Sequence, residues 1–377
     1  MRKTIDVDKS NPPSPPFAKG GMWGFSGQKG VTLTELLVVL AIFSIVIAGV
    51  YGVYIAQVKH TAREYRVAES EMEMEIIKNF IERDIAMAGY GLADDYTPCT
   101  FSPRAFGATD NTGSNGSDTM TLMGTALGRL SRGAQGWTYI TSSGVSPPTF
   151  KTWNDAREDV KNGDWVIYME PSTKSLLTSG GCASSAAWLF TYPASPSTER
   201  GTLIYGLHTE NANFPYYAVE YSLGGTPVDI ICAPPASGAN AVLSLERAES
   251  KDTIPPPSGT RRPVLDCVRD LQVAFGVDAN EDGTIDCWDN GGVLAATYDN
   301  KALKKRLKQA RVYMLVQLGR RDPDKEVYPS GQTFIVGDTT LTECNGGTVG
   351  RSITLTDEQR RYRWRVVSLS IAPRNLR

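Results

Sequence analysis

The stretch "DANEDGTIDCWD", residues 278 to 289, sets oxygen-bearing side chains at a spacing that could hold a metal ion. Asp278, Asn280 and Asp282 stand at every second position, Gly283 permits a sharp turn, Thr284 offers a backbone carbonyl, and Asp286 and Asp289 take the ninth and twelfth places. That is the ligand spacing of an EF-hand-type calcium loop. Hard oxygens suit calcium, and a chain that wraps an ion turns alternate side chains toward it. The twelfth residue is Asp rather than Glu, which shortens the last arm, and "NGGVLAAT" beyond it does not read as a helix. The expectation is therefore a calcium loop entered from a strand; its competitor is a solvated acidic turn.

Other chemistry is thin. The chain has two histidines, His60 and His208, so a histidine-rich metal site is excluded and a Ser/His/Asp triad would have to use His208, which reads as a loop or strand residue. There is no GxSxG elbow, His/Cys motif or phosphate-binding glycine loop, and no enzyme is expected. Cys99, Cys182, Cys232, Cys267, Cys287 and Cys344 are widely spaced without a CxxC pair, which argues for disulfides in an exported domain rather than zinc. Six cysteines allow fifteen pairings; Cys267 with Cys287, bracing the acidic loop, is one of them. Net charge is -2 and pI about 5.9, so bulk charge points to no polyanionic partner. The basic cluster Lys301, Lys304, Lys305, Arg306, Lys308 and Arg311 lacks interleaved aromatics and reads as a solvated amphipathic helix leading into a strand, not as a nucleic-acid surface.

One carboxylate is out of place. In "GVTLTELLVVL", Glu35 opens an apolar run in which Leu36 to Ile55 are twenty residues without a charge. Twenty helical residues span roughly 30 Å, the thickness of a bilayer core. Lys19 and Lys29 flank it without acids, which favours retention of this end in the cytoplasm and export of the remainder. A carboxylate beside such a span costs several kcal/mol unless paired or able to reach water, so a function is expected for it. "NPPSPPFAKGG" in the leader cannot form a helix or strand, and Met22 offers an alternative start with the short leader "MWGFSGQKG".

Past the span, apolar residues recur at three- and four-residue spacing through Val58, Ala62, Tyr65, Met72, Ile76 and Phe80, with Ile77, Ile81, Ile85 and Ala88 beside them. This predicts one helix over residues 31 to 88, with one apolar and one charged face, ending at Gly89 and Gly91. Beyond Tyr90 the texture is β-rich: "DTMTLMG", "DWVIYME", "TLIYGL", "YAVEYSL", "LDCVRDLQVAFGV", "ARVYMLVQLG" and "YRWRVVSLSIA" read as strands, separated by Pro- and Gly-rich loops. In the fifth, Leu265, Cys267, Leu271, Val273, Phe275 and Val277 alternate with polar residues, which predicts one buried face. The fold class is α+β: a long amino-terminal helix packed on a β-rich head.

The segment "KGVTLTELLVVLAIFSIVIAGVYGVY" resembles the signal of type IV prepilins, and "VRDLQVAFGVDANEDGTID", "ALKKRLKQARVYMLVQLGRRD" and "YRWRVVSLSIAPRN" resemble landmarks of the PilW-type minor pilins. The resemblance implies cleavage by prepilin peptidase after Gly30, methylation of the new amino terminus at Val31, and Glu35 as the assembly charge that meets a neighbouring subunit's amino terminus. Val31 departs from the Phe usual there. The implied organisation is a leader (1–30), a membrane or filament-core half-helix (31–57), an amphipathic half (58–90) and a head (91–377) with an inserted subdomain near 125–260. Implied partners are other minor pilins and the major pilin, the inner-membrane assembly machinery and a tip adhesin. The implied location is the inner membrane with a periplasmic head, then the pilus surface; a minor pseudopilin of type II secretion is the neighbouring alternative.

Overall fold

A computed structural model describes residues 30–376 apart from 98, 100–102, 128–135, 145, 156–157, 183–186, 208–215, 228–230, 236, 251–260, 292–297 and 323–325. The chain divides into two compact units, Met1–His60 and Thr61–Arg377. Helix α1, Leu33–Met87, has residues in both units and the length expected of it. In the first unit its residues are almost all exposed, Leu36 to Tyr54 among them, and this stretch is long and apolar enough to cross a membrane.

In the second unit the single apolar face predicted for α1 resolves into two. At about 100° per residue, Met74, Ile77, Ile81 and Ile85 share one side and are buried, while Tyr65, Met72, Ile76 and Phe80 share the other and are exposed. The buried side packs on an antiparallel sheet of order β1-β2-β7-β8-β9-β11-β14. Its strands are β1 Phe106–Thr109, β2 Thr119–Gly124, β7 Tyr217–Gly224, β8 Leu243–Ser250, β9 Arg261–Val277, β11 Leu307–Leu318 and β14 Arg363–Ile371, and β10, Cys287–Asp289, pairs with the end of β9. A second sheet, order β3-β6-β4-β5, holds β3 Trp137–Tyr139, β4 Trp165–Met169, β5 Phe190–Thr191 and β6 Leu203–Gly206. Strands β12, Thr333–Thr342, and β13, Thr348–Thr354, form a hairpin.

That hairpin changes the expectation for β9. Leu271, Val273 and Phe275 face α1 and the main core, but Ala274, with Tyr313 and Leu315 of β11, packs under Val336 and Val349 of the hairpin, so both sides of the sheet are buried. Cys267 leaves the row of odd positions. The register of β9 shifts against β8 and β11 around it, its backbone is left-handed (φ 59), and its side chain turns to the hairpin side. A β-bulge inserts a residue and re-aims the side chains beside it.

The end of α1 is fixed from three directions. Gly89 takes φ 84 and donates its N–H to Met123 O at 2.8 Å; a Cβ there would sit 2.7 Å from Leu376 Cδ2, so the close approach calls for glycine. Asn375 Nδ2 reaches back to Ala86 O at 2.8 Å, capping a terminal carbonyl of the helix. One turn earlier lies the buried carboxylate of Asp84, whose Oδ2 accepts from Tyr221 Oη (2.8 Å) and Arg247 Nε (2.8 Å), with Arg247 Nη2 also at 2.8 Å. Burial, reinforced by Asp84, holds the Tyr221 hydroxyl protonated well above its ordinary range, which keeps it a donor. Breaking a buried ion pair costs about 3–5 kcal/mol, and the lower end applies to Asp84 because Arg247 keeps a second acidic partner in Glu249. Asp84→Ala is therefore expected to destabilise the second unit by that order in a urea melt, whereas alanine at the exposed Glu82 should change little.

Candidate functional site

The amino-terminal site begins with local sequence. Thr32 and Glu35 are three apart at the start of α1, and they form a capping box: Thr32 Oγ1 accepts from Glu35 N (3.3 Å) while Glu35 Oε2 accepts from Thr32 N (3.0 Å) and Thr32 Oγ1 (2.9 Å). In the single chain the carboxylate thus serves its own helix, satisfying a donor left open at the first turn. Gly30 and Val31 are exposed. The resemblance implies a partner for Glu35 in another subunit; within the chain its partner is Thr32, which the T-x-x-E spacing signals. Residues 1–29, with Met22 and the leader, lie outside the described residues, as does His208.

In the acidic loop Gly283 makes its turn at φ 97, and the first nine positions converge. Asp278 Oδ1 accepts from Asp282 N (3.0 Å) and Oδ2 from Gly283 N (2.8 Å); Asp282 Oδ1 accepts from Thr284 N (2.8 Å) and Oγ1 (2.6 Å); Asp286 Oδ2 accepts from Ala279 N (2.8 Å) and Asn280 N (3.2 Å). Asn280 Nδ2 lies 3.1 Å from Asp282 Oδ2 and 3.3 Å from Asp286 Oδ1. Burial opposes ionisation of Asp278, but the Gly283 N–H, Lys308 and the Asp282 N–H outweigh it and hold its carboxyl below the usual range. Hydrogen bonds from the side chain and backbone of Thr284 do the same for Asp282.

The fit to a calcium ion stops at the twelfth position. Asp289 lies in β10 opposite Phe275, buried, and its charge is felt at Glu343 beside the hairpin rather than in the loop. Lys308 Nζ stands 3.1 Å from Asp278 Oδ2. Among the described residues no group of three or more His, Cys, Asp or Glu side chains is set to hold a metal ion.

The basic cluster is divided between two elements. The helix predicted there is only α2, Asn300–Arg306, capped by Asp299, whose side chain accepts from Ala302 N; Lys308 and Arg311 belong to β11. The strand wins because Leu307 to Leu318 pair with both β9 and β14. Lys304 pairs with Asp94, Lys305 and Arg306 with Glu281 (3.3 and 3.2 Å), Lys308 with Asp278, and Arg311 with Asp338 (3.0 Å). Five of the six charges are thereby met by acids, which leaves little for a phosphate backbone.

The cysteines pair as Cys99–Cys182, Cys232–Cys267 and Cys287–Cys344. The Cys267–Cys287 pairing is overturned: the bulge turns Cys267 toward Cys232, and Cys287 instead ties β10 to the turn of the β12–β13 hairpin.

With the helix, its cap and the sheet in place, two segments of the chain can be compared with known families. Residues 25–51 match the family described as prokaryotic N-terminal methylation motif, and residues 236–375 match the type IV pilus-assembly protein W family. The two matches together support a PilW-type minor pilin. No curated protein and no solved structure matches it. The first match contains Gly30, Val31 and Glu35; the second contains β8 to β14, the acidic loop and the hairpin; the β3-β6-β4-β5 sheet lies between the two matched segments. Both families concern pilus structure and assembly rather than catalysis. The disulfide arrangement is open to direct check: peptide mapping without reduction should recover Cys232–Cys267 and Cys287–Cys344 linked peptides, and a Cys267–Cys287 peptide would contradict it.

Proposed function

We propose that this minor pilin takes part in priming or capping the type IV pilus. The leader is cut after Gly30 by prepilin peptidase, Val31 becomes the methylated amino terminus, and the head stands in the periplasm until the inner-membrane machinery draws the helix into the filament. The observation that carries this reading is the exposed side of α1. Tyr65, Met72, Ile76 and Phe80 leave an apolar stripe uncovered on a helix whose other side is already seated in a core. Exposed apolar surface of that extent marks an interaction site, and an apolar helical stripe suits another helix of the same kind, as other minor pilins or the major pilin would offer.

Glu35 enters the same reading as an exchangeable charge. Its bonds to Thr32 hold it in the single chain, and a neighbour's free amino terminus would offer a full ion pair in their place. Glu35→Ala is expected to leave cleavage intact while piliation, counted by electron microscopy, and crosslinking from Met72 to neighbouring pilins both fall several-fold. Pilus numbers equal to wild type would refute the assembly role. The family description favours the pilus over a type II secretion pseudopilin, and neighbouring genes would separate the two.

A second reading, attachment at the tip, has its own support in the second sheet. Trp137 has its ring 4.4 Å from that of Trp153 and 6.4 Å from that of Tyr205, with Tyr139 6.3 Å from Trp153; all are half-buried, and Trp153 lies beside a sheet that neither family match includes. Aromatic side chains that keep one part in water are suited to contacts with ligands. Trp153→Ala should lower surface adhesion at unchanged pilus number; a parallel loss of pili would return the sheet to a purely structural role. A calcium ion at residues 278–289 is no part of the support for either reading.

A further inference from the structure

Lys308 does not sit in the regular register of β11. Leu307 faces Val277 and Gln309 faces Gly276, so Lys308 is the extra residue of a bulge, and Asp278 N–H bonds to Arg306 O at 2.8 Å across the same corner. Bulges re-aim side chains. This one carries the Lys308 ammonium to the acidic loop, 3.1 Å from Oδ2 of Asp278, whose side chain has no exposed surface; the same ammonium donates to Lys305 O at 2.6 Å. Among the described residues, the other donors to the Asp278 side chain are the N–H groups of Asp282 and Gly283.

We propose that the cation of this loop is Lys308 Nζ, tethered to β11, in the place that a calcium ion takes in loops of this spacing. Four observations carry the assignment. The first-position carboxylate is fully covered and meets an ammonium. The bulge gives that lysine its direction. The twelfth-position carboxylate, which should close a metal cage, is built into β10 instead. Glu281, which is not a ligand position, adds a second tether through Lys305 and Arg306. An ammonium and a divalent ion cannot share one carboxylate at this distance without strong repulsion, so the lysine excludes the ion. The consequence is a loop pinned to the sheet without metal, independent of whether the head primes, caps or attaches.

The test is thermal unfolding of the full chain in detergent, with EDTA or with millimolar calcium, for wild type, Lys308→Met and Lys308→Arg. Wild type should melt at the same temperature in both buffers. Lys308→Met should melt about 5 °C lower in EDTA and recover much of that loss in calcium, because the vacated carboxylates then accept the ion. Lys308→Arg, which keeps the charge, should stay near wild type. Stabilisation of wild type by calcium would overturn the proposal. So would a Lys308→Met protein as stable as wild type in EDTA, or a loss that calcium does not restore, which would make the lysine an ordinary ion pair. A loss in Lys308→Arg as large as in Lys308→Met would assign the effect to packing and overturn it equally.

Discussion

The contact on which the second unit depends is the buried carboxylate of Asp84 under Arg247 and Tyr221. Apolar packing is tolerant of small rotations, because Ile, Leu and Met can fill similar space in several ways. A buried charge is not, since any rotation that breaks its bonds leaves it uncompensated. Asp84 therefore sets the angle of α1 about its own axis. With that angle fixed, Ile77, Ile81 and Ile85 must enter the core, and Tyr65, Met72, Ile76 and Phe80 must remain outside. Polar contacts farther along, Ser70 Oγ with Gly319 N (3.2 Å), Arg63 with Asp322 (3.2 Å) and Glu71 with Arg365 (3.0 Å), hold the same orientation.

On the other side of the sheet, bulges do comparable work. The one at Cys267 turns a thiol out of the main core and into a disulfide with Cys232; the one at Lys308 turns an ammonium onto the acidic loop. Cys287–Cys344 then joins the end of that loop to the hairpin, and Arg351 from the hairpin meets buried Asp270 of β9 at 2.7 Å. The hairpin strands can approach closely because Gly337 and Gly350 face one another; a Cβ on Gly337 would lie 2.3 Å from Gly350 Cα. Loop, hairpin and central strands thus form one braced region, and it is the region that the second family match spans.

Much of this fold was legible in the sequence. The long helix, its stop at Gly89 and the seven strands read from apolar runs are all present. Strands β1, β3, β5 and β10 escaped because two to four residues carry too little pattern, and β8, β12 and β13 because their residues look wrong out of context. β8 carries Glu246, Arg247 and Glu249, because its arginine is there to meet Asp84; β12 and β13 carry glycines, because their backbones touch. At the candidate sites the ligand-like spacing of residues 278 to 286 and the T-x-x-E pattern were visible, since both are local. Lys308 was visible only as one member of a basic cluster, and nothing nearby in the chain marks it as the partner of Asp278.

The sequence by itself determined what depends on a few consecutive residues. A charge-free span of membrane length, a glycine before it, a glutamate in register behind that glycine, and a capping threonine all act through neighbours along one helix. Tertiary structure decided what depends on residues far apart in the chain: the partners of the cysteines, the two sides of α1, and the ammonium at the acidic loop. The physical reason is register. One bulged residue reverses the direction of the side chains beyond it, and a buried charge fixes one rotation among many that packing alone would allow, so neither outcome follows from composition or spacing.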